Sequence, residues 1–233
     1  MISIFKREIK AYFRGMSGYL YLAAFFLMSG YFFVVNNVIG GDGDISGVFS
    51  GIYIASNFLV PLLTMDTLLT HQGYGIEYMI YTSPIQVVLG KFFAIFALIG
   101  IGVLGIVVYH LLLMPFWDQS LKMLIFNQIS MMLVSGVCIS VGMFASSISF
   151  RRTQALIMAY TLLLMFFLLD RSMESFVNFS QLQIIGALSI FSGYANFEVG
   201  IFSPTDLMRM LVFCMIVLGA AASMVSRRKQ RGI

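Results

Sequence analysis

The sequence predicts an all-α integral membrane protein with six transmembrane helices. Of its 233 residues, 60% are hydrophobic and only 10% are charged, whereas a soluble domain carries about 25% charged residues. The apolar runs are longer than the roughly 18 to 20 residues that a helix needs to cross hydrocarbon. Membrane-spanning strands would be about ten residues long with strict alternation, and the sequence lacks that pattern. A single transmembrane domain over residues 1–233 follows.

The first 17 residues predict an amphipathic helix that lies in the membrane interface. Apolar side chains recur at helical spacing from Ile2 to Met16. The cations on the other faces are Lys6, Arg7, Lys10 and Arg14. Such a helix directs its cations toward anionic headgroups. We expect it to bend near Gly15 and Gly18 into the first span.

The six spans are predicted at about residues 18–39, 48–69, 87–116, 123–150, 153–169 and 206–225. Pro61 interrupts the apolar pattern of the second span and predicts a kink there. The fourth span is dense in small residues, which let helix backbones approach closely, so we expect it to pack centrally. Residues 170–205 are too apolar for an exposed loop, and we expect two short helices that re-enter the far leaflet.

Basic residues indicate the orientation. With the N-terminus inside, eleven of the 14 Lys and Arg residues lie on the cytoplasmic side. These are Lys6, Arg7, Lys10, Arg14, Lys91, Arg151, Arg152, Arg227, Arg228, Lys229 and Arg231. Cytoplasmic loops carry this excess of basic residues, so both termini are expected in the cytoplasm. The net charge of +4 is therefore attributed to topology, and no nucleic-acid partner is expected.

A polar insert separates the second and third spans, between Met65 and Lys91. It carries glycines, tyrosines, a carboxylate and a proline, whereas its flanks are almost entirely aliphatic. Lipid cannot satisfy the hydrogen bonds of such a segment. The insert is therefore expected in the cytoplasm, where it can receive force from a soluble partner.

The sequence carries no motif of an enzyme. It lacks the phosphate-cradling G-x-x-x-x-G-K-[ST] motif and the H-E-x-x-H motif. Cys138 and Cys214 lie inside apolar spans without the spacing of a metal site, and are interpreted as packing residues. We expect no catalytic residue, no cofactor and no metal in this chain.

Polar residues within the spans have two interpretations. Asn57, Asn127 and Gln128 are candidates for lining a substrate path, or they form hydrogen bonds between helices. Asp66 and Lys91 stand at the two ends of the insert at similar depth. Either they form a salt bridge that joins the two spans, or each is solvated alone.

The insert resembles the coupling helix of ABC-2 permeases, the six-span type V exporter fold. That family carries a pattern like G-[TI]-[DE]-x-L-L-x-[TS]-x-P-[VI] after its second span, followed shortly by G-K-[FY]. The corresponding residues are Gly75, Ile76, Glu77, Tyr78, Met79, Ile80, Tyr81, Thr82, Ser83, Pro84, Ile85, Gly90, Lys91 and Phe92. The departures are Ile76 in place of Thr, and Tyr78 and Tyr81 in place of aliphatic residues.

Two further stretches resemble the same family. Residues 4–14, which lead into Gly15 to Tyr19, are similar to its amphipathic connecting helix. Residues 192–201, followed by Asp206 and Leu207, are similar to its F-x-x-G-[VI] and D-L motifs before the last span.

The resemblance implies a membrane-spanning permease subunit of an ATP-driven exporter in the bacterial plasma membrane. It implies a separate ABC-type ATPase subunit that binds ATP and Mg²⁺, and a second permease subunit, a copy of this chain or a sibling. The coupling helix would occupy residues 70–86 and end at Pro84, and its contact residues would be Gly75, Glu77, Tyr78, Tyr81, Ser83 and Pro84. Small members of this group export amphipathic or antimicrobial peptides, and the aromatic, charge-poor spans favour such a passenger.

Two alternatives stay open at this point. An ATP-independent channel or secondary carrier would carry ionisable residues at mid-bilayer or inverted repeats, and the sequence shows neither. A membrane subunit that only docks or regulates a partner would need no passenger at all.

Overall fold

The computed structural model describes residues 2–41, 43–69, 83–116, 121–175 and 204–231. Their helices are α1 (Ile2–Arg14), α2 (Met16–Phe33), α3 (Ser46–Thr64), α4 (Pro84–Gly105), α5 (Val107–Leu113), α6 (Leu121–Ile148), α7 (Arg152–Ser175) and α8 (Pro204–Arg231). A π-helical segment, Val34–Ile39, extends α2. The described ranges contain no β-strand.

Six helical stretches are long and apolar enough to cross a membrane. They are Met16–Ile39, Ser46–Thr64, Pro84–Leu113, Leu121–Ile148, Arg152–Leu169 and Pro204–Arg227. The predicted all-α fold with six spans is thereby confirmed at this level, and the chain is a multi-pass membrane protein.

A short extended break separates α1 from α2. Gly15 has φ −83° and ψ 166°, and its N–H donates to the Ala11 carbonyl at 2.8 Å. Gly18 then lies against the preceding helix, because a Cβ there would approach the Tyr12 carbonyl oxygen to 2.7 Å. The expected bend near Gly15 and Gly18 is present, and α1 itself contains no buried residue.

Helix α6 lies at the centre of the bundle. It packs against α3, α4, α7 and α8, and 78% of its membrane-spanning window is buried inside the protein. Its small residues include Ser135, Gly136, Ser140 and Gly142, all buried. Small side chains allow this close approach, so the expected central position of the fourth span is confirmed.

Several helix ends differ from the sequence-based prediction. The second span ends at Thr64 rather than at residue 69, because the chain turns at Met65 and its main chain bonds to α6. The third begins at Pro84 rather than at residue 87, because proline fits the first turn, where its missing N–H costs nothing. Pro84 therefore starts the spanning helix, and any helix before it lies outside the described residues.

The third and fifth spans also differ from their predicted bounds. The third is interrupted at Ile106, between α4 and α5. Helix α7 continues through residue 170 to Ser175, where the re-entrant pair was predicted to begin. The rest of that predicted pair, to residue 203, lies outside the described residues.

The contact between α3 and α6 depends on a glycine, which gives a stability prediction. A Cβ at Gly142 would lie 2.9 Å from the Thr64 Cβ, so Gly142→Ala should push the two helices apart. We expect a loss of about 1–3 kcal/mol in unfolding free energy from overpacking. Thermal unfolding of the purified protein in detergent would measure it.

Gly219→Ala in α8 is the matched control. Gly219 is exposed, and no described atom lies within 4 Å of a Cβ built there. This variant should be neutral or slightly stabilising, since alanine favours a helix over glycine by up to about 1 kcal/mol. Equal destabilisation by both variants would show that the α3–α6 contact is not tight.

Candidate functional site at the base of the insert

The described structure includes both ends of the polar insert but not its middle. Residues 70–82 lie outside the described ranges, and with them the predicted contact residues Gly75, Glu77, Tyr78 and Tyr81. Ser83, with φ −67° and ψ 138°, is the extended residue before α4, and Pro84 follows it as the first helical residue.

Ser146 of α6 holds the chain where it leaves α3. The Leu68 N–H donates to the Ser146 Oγ at 3.0 Å, and the same hydroxyl donates to the Met65 carbonyl at 3.0 Å. The Thr67 hydroxyl also donates to the Thr64 carbonyl at 2.8 Å. Main-chain groups beyond a helix end must find such partners when they are buried. The first turn of the insert is therefore fixed to the central helix.

Lys91 of α4 joins the insert to α1. Its Nζ donates to the Thr67 carbonyl and lies 4.0 Å from the Glu8 carboxylate. Glu8 is also paired with Arg7, at 3.3 Å. Helix α1, the first turn of the insert and the third span therefore meet at one ammonium group.

Neither alternative for Asp66 and Lys91 is correct, because the two residues do not pair with each other and neither is solvated alone. Asp66 pairs with Arg152 at the start of α7, with 2.9 Å between Arg152 Nε and Asp66 Oδ1. Lys91 has its partners in Glu8 and in the carbonyl of Thr67, the residue after Asp66. The two ends of the insert are therefore joined through Lys91 and Thr67, and Asp66 adds a contact with α7.

Six residues thus form an anchor cluster at the base of the insert: Glu8, Asp66, Thr67, Lys91, Ser146 and Arg152. They connect the chain after α3 to α1, α4, α6 and α7. The Arg152 side chain is 63% exposed, and exposed ion pairs contribute only about 0–1 kcal/mol. The buried hydrogen bonds of Ser146 are therefore the stronger part of the anchor.

Tyr12 of α1 lies beside this cluster. Tyr12 is partly buried, and this loss of solvent raises the pKa of the phenol well above the ordinary value; the negative charges of Glu8 and Asp66 raise that pKa further. Tyr12 therefore keeps its proton at physiological pH. The cluster gains no additional negative charge from this ring.

The three candidate pathway residues do not converge in the described structure. The Asn57 Nδ2 donates to the Tyr53 carbonyl at 2.9 Å, and the Cys138 thiol donates to the Asn57 Oδ1 at 3.6 Å. The Gln128 Nε2 lies 3.5 Å from the Val103 carbonyl oxygen. These contacts agree with hydrogen bonding between helices, and a role in a substrate path stays a prediction.

Asn127 is different from the other two. It is fully buried in α6, and neither atom of its amide has a hydrogen-bond partner among the described residues. A buried amide without partners costs about 1–3 kcal/mol. Of the three candidates, Asn127 is the one whose amide has no partner among the described residues.

Sequence reasoning missed Glu8, Ser146 and Arg152 as members of the anchor cluster. Glu8 is the only acid within the basic α1 helix, which was a usable signal. Arg152 was interpreted only as a marker of topology, and Ser146 only as a small packing residue.

Cys138 and Cys214 are free and buried, as expected of packing residues. Among the described residues, no group of three or more His, Cys, Asp or Glu side chains is placed to hold a metal ion.

Neither the models of known protein families nor the curated proteins match this chain. Its described structure defines a multi-pass membrane protein with six spans, in which the central helix α6 is rich in small residues.

Ser146→Ala tests the anchor cluster. The substitution removes both hydrogen bonds to the first turn of the insert and leaves the buried Leu68 N–H without a partner. We expect a loss of about 1–3 kcal/mol in stability, together with faster amide hydrogen exchange at residues 65–69. Thermal unfolding and hydrogen-exchange mass spectrometry would measure the two effects.

Ser147→Ala is the control, because Ser147 is also buried but donates only to the Phe144 carbonyl of its own helix, at 2.7 Å. It should leave exchange at residues 65–69 unchanged. Equal exchange in the two variants would show that Ser146 does not hold the turn.

Proposed function

We propose that this chain is the membrane-spanning permease subunit of an ATP-driven ABC exporter. In this proposal the insert is a cytoplasmic coupling helix that docks on a separate ATPase, which binds ATP and Mg²⁺. Two permease subunits, most simply two copies of this chain, form the pathway in a bacterial plasma membrane. The chain itself performs no covalent step.

The anchor cluster is the observation that supports this proposal best. A segment that transmits force must be fixed to the body that it moves. The first turn of the insert is bonded to α6 through Ser146 and to α4 through Lys91. Because α6 packs against four other helices, displacement of the insert would reach most of the bundle. The glycine, acid and proline pattern of residues 75–84 supports the same function.

The passenger is proposed to be an amphipathic peptide such as a toxin or antimicrobial. The bundle is largely apolar, and its buried polar groups in the described spans are mainly amides and hydroxyls, with His110 and Asp206. Such a lining favours a passenger with apolar faces over a sugar polymer. Asn127, with its free amide, is the candidate contact.

Glu77→Arg is the test of coupling. We expect the neighbouring reading frame to encode a P-loop ATPase. When the two chains are expressed together, the wild-type chain should retain that ATPase through purification in detergent. Glu77→Arg places a cation where an acid should contact the ATPase, and should reduce both its retention and its stimulated ATP hydrolysis by at least about tenfold, as loss of a buried charged contact does.

Glu198→Arg is the control, because the predicted topology places this residue on the opposite side of the membrane. It should retain the ATPase like the wild type. Transport of a passenger by the purified chain without any ATPase would refute the proposal and favour a channel or secondary carrier. Stable ATPase binding without any passenger-stimulated hydrolysis would favour a docking subunit.

A further inference from the structure

A cavity of about 440 Å³ lies beside the anchor cluster, between α1, α2, α3 and the start of α4. Its size falls within the range of about 300–1,000 Å³ that is typical of ligand pockets. One end is lined by Glu8, Asp66, Thr67 and Lys91, and the rest is mainly aliphatic. The cavity is therefore amphipathic along its length.

The aliphatic part of the cavity reaches the outer surface of the bundle. Leu20 of α2 and Leu62 of α3 line it, and these side chains are 72% and 47% exposed. Both belong to membrane-spanning helices, so their exposed atoms face lipid. A lipid chain can enter this opening from the side without crossing the polar end.

Tyr21 adds apolar surface to the cavity. Its side chain lines the space and is only 6% exposed, and its hydroxyl oxygen is itself buried rather than open to the cavity. The apolar part of the cavity therefore continues along the Tyr21 ring.

The charges at the polar end favour a headgroup that carries both signs. The lining contains the carboxylates of Glu8 and Asp66 and the ammonium of Lys91. The Glu8 carboxylate is paired with Arg7 and Lys91, and the Asp66 carboxylate is paired with Arg152. Cations therefore also lie near the polar end. A protonated primary amine can donate to the carboxylates, while a phosphate can accept from the cations.

We propose that this cavity binds one phospholipid with a primary-amine headgroup, of the phosphatidylethanolamine type, from the adjacent leaflet. The amine lies between Glu8 and Asp66, and the phosphate lies near Lys91. The acyl chain leaves between Leu20 and Leu62. The bound lipid holds α1 against the bundle next to the anchor cluster.

The test measures which lipid the chain retains. The protein is reconstituted in vesicles with equal amounts of phosphatidylethanolamine, phosphatidylcholine and phosphatidylglycerol that share the same acyl chains. It is then purified in detergent, and the bound lipid is quantified by native mass spectrometry. We expect phosphatidylethanolamine to be enriched at least fivefold over phosphatidylcholine, whose quaternary amine has no N–H to donate.

Two variants of α2 locate the site. Ala24 lines the cavity, so Ala24→Trp should fill it and abolish the enrichment. Ala23 is exposed on the same helix and is not among the cavity residues, so Ala23→Trp should preserve the enrichment. Asp66→Asn removes one carboxylate from the polar end of the cavity and should reduce the enrichment roughly fivefold, because the amine loses an ionic hydrogen bond, whereas Asp44→Asn, outside the cavity, should not.

Equal retention of the three lipids would overturn the proposal, as would enrichment of phosphatidylglycerol or loss of enrichment in both tryptophan variants. The mild Asp66→Asn variant keeps the test decisive if Ala24→Trp does not fold. The measurement uses this chain without an ATPase, so its result is independent of the proposed function.

Discussion

The main-chain groups that the chain exposes where α3 ends must find partners inside the protein. Next to an apolar bundle, water is scarce, and an unsatisfied N–H or carbonyl is expensive. Ser146 satisfies two such groups, at Met65 and Leu68, and Lys91 satisfies a third at Thr67. These bonds decide where the second span stops and how the polar insert leaves the bundle.

The same bonds connect the start of the polar insert to α6, which has the most buried of the six spanning windows. The spanning window of α6 is 78% buried, whereas those of the first and fifth spans are each 17% buried. Motion of the insert would therefore act first on the centre of the bundle. The lightly packed outer helices leave broad apolar faces for lipid or for a second copy of the chain, and the cavity beside Tyr21 opens onto one of them.

Much of the fold could be predicted because its signals are local. Long apolar runs predicted the number of spans, and Gly15 and Gly18 predicted the bend after α1. The high content of small residues in the segment 121–148 predicted the central helix. Helix ends were harder. Asp66 and Thr67 interrupt the apolar run of the second span only briefly before Leu68 and Leu69, so the local pattern does not fix the helix end at Thr64.

The candidate site was less predictable, because pairing of charges depends on which helices are neighbours. Sequence gives the depth of Asp66 and Lys91 in the membrane but not the direction in which each points around its helix. Arg152 is 86 positions from Asp66, yet the packing of α7 against α3 brings it to 2.9 Å. In the same way, a serine among other small residues gave no sign that Ser146 holds the insert.

The central claim is that the insert contacts an ATP-driven partner in the cytoplasm. A photo-crosslinking amino acid at position 78, in cells that also contain the proposed ATPase partner, measures this contact directly; the same amino acid at the exposed position 31 of the first span is the reference. The account predicts an adduct with the nucleotide-binding chain at position 78 alone, with a yield that changes when hydrolysis is blocked. Labelling of position 78 by a membrane-impermeant reagent from outside the cell, or no adduct with the ATPase, would contradict it.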